Sequence, residues 1–399
     1  MSSFEPKGNP RALFMATLAF LASFYAWSML GPLGPSLQDK MNLSEVQLAV
    51  MIAVPVLMGS LMRIPLGVLS DRYGGRIVFT CLMVFTLIPL AALALMHTNF
   101  TAVIIFGFFL GFAGASFAVG VPYVSRWYPR EKQGMALGLY GIGTGGTVVG
   151  GLTFQRIAKH WGLTAPFVVA IVVVAVVAAL FWLVARNAPV EPPTGTSMLS
   201  SLRVFRERPR AWAPTFYYFL VFGGFVAMFA YLPKLLTGVH HLTKTDAGSR
   251  AAGFALVAVV ARPIGGWLAD RIGPATVLRI SFVLTALLAA GLAPTYKHMV
   301  PLTIFALTLA GAFGLGTGAV FKEVAHEFPD QVGAVTGVVG AAGGLGGFFP
   351  PLVMAFVKSQ FHSYTLGFVF LAITAVLALV VLQLMTRGAR PAPRPALAG

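Results

Sequence analysis

The chain is 399 residues long, 57% hydrophobic and only 10% charged, with a formal net charge of +16. A soluble domain carries about 25% charged residues, so the composition excludes a soluble enzyme or nucleic-acid binder and places the chain in a lipid bilayer. The excess of Lys and Arg has a topological reading: with both ends inside, these residues concentrate in cytoplasmic segments, the positive-inside bias, and no nucleic-acid partner is implied.

Twelve apolar stretches long enough to cross hydrocarbon have cores near 12–37, 46–69, 77–96, 100–124, 134–156, 164–185, 212–236, 249–269, 275–293, 300–321, 333–357 and 364–385. They are too long and too uniformly apolar for barrel strands, which alternate. The predicted fold class is therefore an all-α membrane protein with twelve transmembrane helices. No small-residue cleavage site follows the first run, so no cleaved leader is expected.

The second stretch contains Arg63, at the head of RIPLGVLSDRYG, and leads into a loop with Gly67, Asp71, Arg72 and Gly74. Asp71 can accept from a helix N-terminus or from an arginine on a neighbouring helix, a contact that would hold one conformation. Cys81 in the third stretch is the only cysteine; it forms no internal disulfide and reads as packing filler. Phe117 lies among small neighbours in GASFAVG, in the fourth stretch. The fifth carries GLYGIGTGGTVVGG, with Gly141, Thr144 and Gly145. Glycine costs about 1 kcal/mol against Ala inside an ordinary helix, but in membranes it lets backbones approach closely. Such a run either packs tightly or leaves room for a ligand. It is not a nucleotide loop, since no Lys-Ser or Lys-Thr follows and no strand precedes it.

A polar segment with Pro189, Pro192, Pro193 and Gly195, then the basic cluster Arg203, Arg206, Arg208 and Arg210, reads as a cytoplasmic linker able to touch anionic headgroups. Tyr218 and Phe222 in the seventh stretch are four apart and share a face. The eighth stretch holds Arg262, followed by Asp270 and Arg271. Lys322 and Glu323, near the end of the tenth, read as an interfacial pair. The eleventh carries GVVGAAGGLGGFFPP, with Gly340 and Gly344, and the basic, Pro-rich tail RGARPAPRPALAG reads as disordered.

These features repeat at one offset. Arg63 and Arg262 are 199 residues apart, as are Asp71 and Asp270, and Arg72 and Arg271. At the same spacing Gly67, Gly74, Gly134, Gly138, Gly141 and Gly145 match Gly266, Gly273, Gly333, Gly337, Gly340 and Gly344. The chain is thus read as a duplication: a six-helix bundle over 1–186, a linker over 187–210, a second six-helix bundle over 211–390 and a tail over 391–399.

Two six-helix halves joined by a cytoplasmic linker, with GVLSDRYGGR between the second and third helices, resemble the major facilitator superfamily. The resemblance implies a substrate site near the midplane between the halves and alternating access. It also gives Asp71, Arg72, Asp270 and Arg271 a gating role. The two glycine motifs, taken with the two intramembrane arginines, narrow the resemblance to the nitrate/nitrite porter family. That resemblance implies aromatic side chains, Phe117, Tyr218 and Phe222, sandwiching a flat anion beside Arg63 and Arg262, with Tyr218 adding a hydrogen bond. Gly141, Gly145, Gly340 and Gly344 would leave room beside the arginines. Where the family usually has asparagine on the fifth helix this chain has Thr144, which offers a single donor without the reach of an amide.

The residues alone point the same way. One arginine at the bilayer centre costs about 3 kcal/mol on the insertion scale, and two facing at ~7 Å repel by roughly 2–3 kcal/mol at an effective dielectric near 20. No Asp or Glu falls in the middle of any stretch. The missing negative charge must come from an anionic substrate, and the planar guanidinium fork suits a planar oxyanion such as nitrate or nitrite. Such an empty site favours nitrate/nitrite exchange, whereas the resemblance leaves nitrate/proton symport open. A proton-driven exporter of organic compounds would want a buried carboxylate, and an exchanger of carboxylates or phosphate esters remains the other alternative. No cofactor, metal-ligand cluster or nucleophile–base pair is expected. The expected partners are nitrate and nitrite, protons in a symporter, and the lipid bilayer of the cytoplasmic membrane.

Overall fold

A computed structural model describes residues 7–189, 203, 205–328 and 332–387. The greater part of the linker assigned to 187–210 and the whole of the 391–399 tail lie outside the described residues. The described residues form twelve apolar helices of membrane-crossing length: α1 (Pro10–Met41), α2 (Glu45–Tyr73), α3 (Gly75–Met96), α4 (Phe100–Ser125), α5 (Met135–Trp161), α6 (Ala165–Val184), α7 (Pro209–His240), α8 (Lys244–Ile272), α9 (Pro274–Thr295), α10 (Met299–Val324), α11 (Val335–Phe361) and α12 (Thr365–Thr386). In hydrocarbon every backbone N–H and C=O must be satisfied within the protein, and helices do this within one segment. An even number of crossings leaves Pro10 and Thr386, where the first helix starts and the last ends, on one face, called here the terminal face; the opposite face is the distal face.

The repeat reaches into backbone conformation. Ser44 caps α2 by accepting from the Gln47 amide at 3.2 Å, and Thr243, 199 residues on, caps α8 by accepting from the Asp246 amide at 3.2 Å. Gly74 has φ 84° and ψ 143°; its counterpart Gly273 has φ 85° and ψ 143°. A side chain is strained at that φ, so glycine holds both α2–α3 and α8–α9 turns. α1 and α7 are the most enclosed helices of the bundle, and α6 and α12 the least. Large apolar side chains such as Leu95, Leu183 and Leu384 are exposed on the periphery, as a lipid-facing surface requires. Cys81 is exposed there too, on α3, and so is not the packing filler that its apolar helix suggested.

The two sets of six helices meet differently at the two faces. At the distal face Lys234 on α7 pairs with Glu45 on α2 at 2.9 Å, and Lys244 on α8 pairs with Asp39 on α1 at 2.5 Å. Arg156 on α5 donates to the Ser249 hydroxyl on α8 at 3.1 Å. Gly31 on α1 lies so close to Ala230 on α7 that a Cβ would sit 3.1 Å from the Ala230 Cα. On the terminal face the ion pairs among the described residues stay within one set: Asp71 with Arg126 at 3.0 Å, and Asp270 with Lys322 at 2.5 Å. Arg72 lies over the Tyr73 ring and Arg271 over the Trp267 ring, each on its own helix. The bundle is therefore fastened across its midline at the distal face.

Candidate functional site

Arg63 owes its position to a break in α2. Pro65 has no N–H to give to the Leu61 carbonyl, and the helix is interrupted at Met62 and restarts at Arg63. Arg63 is 2% exposed. Its Nη1 donates to the Gly340 carbonyl on α11, and its Cζ lies 4.9 Å from the centroid of the Phe222 ring on α7. Both partners belong to the other six-helix set. The Arg63 Nε is buried without a hydrogen-bond acceptor among the described residues.

Arg262 stands in an unbroken helix. On α10, a Cβ at Gly318 would run into the Arg262 carbonyl, so the backbones of α8 and α10 touch at this level. The half-buried Arg262 side chain crosses in the opposite sense from Arg63. Its Cζ lies 5.3 Å from the Phe117 centroid on α4, and its stem lies against Gly141 on α5, where a Cβ would come within 3.5 Å of Nε. Its Nη2 donates to the Tyr218 hydroxyl at 3.5 Å. Each arginine thus covers an aromatic ring and a glycine of the opposite set, and the two guanidiniums are within electrostatic reach of each other.

The three expected aromatics gather around this pair. Tyr218 and Phe222 stack at 5.0 Å with an interplanar angle of 2°. Phe321 on α10 closes the ring between the sets, 4.8 Å from Tyr218 and 5.9 Å from Phe117. Tyr140 on α5 stacks on Phe117 at 5.8 Å and donates to the Ser116 carbonyl at 2.9 Å. Sequence reasoning missed both. Tyr140 had a signal, as the hydroxyl-bearing aromatic inside GLYGIG. Phe321 had none that set it apart from the chain's other phenylalanines.

Thr144 is buried, and its hydroxyl donates to the Gly141 carbonyl at 2.8 Å. Thr144, Phe222, Arg262 and Thr317 border a narrow cavity. The four glycines are not equivalent. Gly141 and Gly340 touch the arginines; Gly344 packs on Ser60 of α2; a Cβ at Gly145 would meet nothing within 4 Å. Asp71, Arg72, Asp270 and Arg271 lie at the helix ends on the terminal face, outside this cluster, and among the described residues their ion-pair and ring partners belong to their own set.

Among the described residues no carboxylate pairs with Arg63 or Arg262. The expected Lys322–Glu323 pair does not form. Lys322 reaches Asp270 instead, and Glu323, 8% exposed, forms no ion pair with Lys or Arg among the described residues. Adjacent residues on a helix point about 100° apart, so the two side chains cannot share a setting. Arg279, in the first two turns of α9, also escaped the sequence reading; its Nε is buried without a hydrogen-bond partner among the described residues.

The arrangement is a cluster of rings that brings two planar donor groups together, with a narrow cavity on the Arg262 side and no carboxylate paired to either group among the described residues. It offers the donors that a small planar anion needs, and no nucleophile–base geometry. The chain matches the Major Facilitator Superfamily over residues 16–249 and 234–398. It is 39% identical to the probable nitrate/nitrite transporter NarK2 of Mycobacterium tuberculosis, over 96% of this chain and 98% of that protein. It is 35% identical to the nitrite extrusion protein of Bacillus subtilis, over 92% of each chain. It is 34% identical to the probable nitrate transporter NarT of Staphylococcus carnosus, over 93% of this chain and 94% of that protein. Two solved structures share the fold. A bacterial homolog of the human lysosomal transporter Spinster matches with a TM-score of 0.74 at 17% identity, over 96% of this chain and all of that one. The human organic anion transporter MFSD10 matches with a TM-score of 0.76 at 16% identity, over 94% of this chain and all of that one. The chain is a membrane transporter and belongs to the nitrate/nitrite porter family of the major facilitator superfamily.

Proposed function

We propose that the protein moves nitrate and nitrite across the cytoplasmic membrane by alternating access, one planar oxyanion at a time, held between Arg63 and Arg262. The observation that carries this reading is the crossed pair of guanidiniums, one from each six-helix set, with no carboxylate on either among the described residues. A monovalent oxyanion cancels one of the two charges and accepts in the plane that the guanidinium donors define. Rings above and below exclude water, which strengthens those hydrogen bonds. The names of the relatives support the same cargo.

The terminal face is the cytoplasmic one by the distribution of Lys and Arg, and Asp71, Arg72, Asp270 and Arg271 are gating residues at that face. With its crossing ion pairs at the distal end, the structure is the state closed to the outside. The six-helix sets over 1–186 and 211–390 rock against each other about the arginines. The empty site carries two unbalanced charges that oppose burial during reorientation, so turnover proceeds as exchange of one anion for another. Symport with a proton is the second reading, favoured by one observation: Glu323 is a buried carboxylate that forms no ion pair with Lys or Arg among the described residues.

Counterflow in proteoliposomes tests both. Nitrate entry is expected to require internal nitrate or nitrite. Entry into anion-free vesicles under a proton gradient would establish symport instead. Absence of nitrate binding to the purified protein, or displacement of nitrate by oxalate or a phosphate ester at equal concentration, would remove the cargo assignment.

A further inference from the structure

The distal ion pairs are organised by the duplication. Glu45 and Lys244 occupy equivalent positions, 199 residues apart, and each is the first residue of the second helix in its set. Each reaches across the midline to the distal end of the first helix of the other set: Glu45 to Lys234 on α7, Lys244 to Asp39 on α1. The pseudo-symmetry conserves the geometry and inverts the charge. All the acids of the two bridges come from the N-terminal set and all the bases from the C-terminal set, so these four residues can pair with one another only across the midline. The pairs differ in setting. Lys234 and Glu45 are 14% and 32% exposed, against 38% and 69% for Lys244 and Asp39.

We propose that Glu45–Lys234 and Asp39–Lys244 form the ionic gate of the distal entrance, with Glu45–Lys234 as its main bolt. Opening that entrance must break both pairs, because each spans the seam along which the sets part. The less exposed pair is less screened by water and salt, and its loss leaves a charge facing Tyr231 and Tyr364, whose rings lie within electrostatic reach of Glu45. The outer pair has the modest strength of a solvent-exposed bridge. These four residues set the balance between the distal-closed and distal-open states; they are positioning residues, and the anion site lies elsewhere. The inference rests on alternating access and is independent of which anion is carried.

The test is a distance across the entrance. In a Cys81→Ser background, spin labels at Lys40→Cys and Gly238→Cys, both at exposed positions near the distal ends of α1 and α7, report the separation of the sets in detergent and in lipid without substrate. Lys234→Glu, which sets like charges against each other, is expected to raise the long-distance population at least ~10-fold. The milder Lys234→Gln should move it in the same direction. Lys244→Glu should raise it roughly 2–5-fold. The swap Glu45→Lys/Lys234→Glu should return the distribution to the parent. Unchanged distances in Lys234→Glu and Lys234→Gln, or a shift that the swap fails to reverse, overturn the gate. Since the readout needs no nitrate, its failure leaves the cargo assignment standing, and loss of nitrate binding leaves the gate standing.

Discussion

Arg63 and Arg262 stand at equivalent positions of the duplicated sequence, yet one is 2% exposed and bonded to a backbone carbonyl across the midline, and the other is half-buried, ends on a tyrosine hydroxyl and faces a cavity. The difference starts in the helices. α2 breaks at Met62, and α5 runs through a 3₁₀ turn at Gly141–Gly145. Their counterparts in the second set run as continuous helices, Lys244–Ile272 and Val332–Phe361. Duplication thus preserved the residue and its target, an aromatic ring and a glycine of the other set, while local backbone breaks changed how deep each guanidinium sits. Arg63 is the more deeply held of the two, and Arg262 is the one that borders a cavity; under the proposed function an entering anion would reach Arg262 first.

The strongest way to break that contrast is to remove each fork in turn. Arg63→Lys and Arg262→Lys should each lower nitrate counterflow by roughly 100-fold, the scale for truncating a buried charge-assisted contact. They should differ in stability. Only Arg63→Lys should lower the unfolding temperature of the anion-free protein, because only Arg63 holds the sets together through the Gly340 carbonyl. Equal thermal shifts would show the two arginines to be alike after all, and near-normal counterflow in either variant would dissolve the site.

A smaller effect separates the glycines. Gly344 and Gly145 are equivalent in sequence, but an added Cβ runs into Ser60 at the first and meets open space at the second. Overpacking costs about 1–3 kcal/mol, so Gly344→Ala should slow exchange about tenfold and Gly145→Ala by no more than about twofold. Adding Ser60→Gly to Gly344→Ala should recover most of the loss. Similar defects at both glycines would mean that they line the anion path directly. Smaller again, Tyr218→Phe keeps the stack on Phe222 and removes the hydroxyl that meets Arg262 at 3.5 Å. Nitrate affinity by calorimetry should weaken roughly 3–10-fold, the worth of one ordinary hydrogen bond, since 3.5 Å is a long contact.

Much of this was legible in the chain. The twelve spans follow from hydropathy and length, and the duplication from a fixed offset of costly residues, Arg and Gly, that apolar packing alone would not keep at one spacing. The convergence of Tyr218, Phe222 and Phe117 rested on family resemblance, because helical spacing gives a face and not the partner that the face meets. What could not be read was anything set by contact across the midline. Asp39, Glu45, Lys234 and Lys244 look like ordinary loop-end charges in sequence, and their pairing exists only once two sets of helices are docked. Glu323 beside Lys322 looked like a pair because they are adjacent, whereas helix geometry sends one to Asp270 and buries the other.

Thr144 gives the finest test of the contrast, since it borders the cavity on the Arg262 side only. Its hydroxyl proton is already committed to the Gly141 carbonyl at 2.8 Å, so in this state it has none to give to an anion that only accepts. Thr144→Val should therefore change nitrate affinity by less than about twofold, far below the effect of losing a donor that touches the ligand. Thr144→Asn supplies two N–H donors beyond the backbone, on the side where Arg262 is accessible. It should tighten nitrate more than nitrite, because nitrate presents a third oxygen for the new donor. Competition of each anion for the purified variant reads this as a ratio. A large loss in Thr144→Val would show that the hydroxyl turns away from Gly141 when the anion arrives, and that the fifth helix, through its 3₁₀ turn, rearranges on binding.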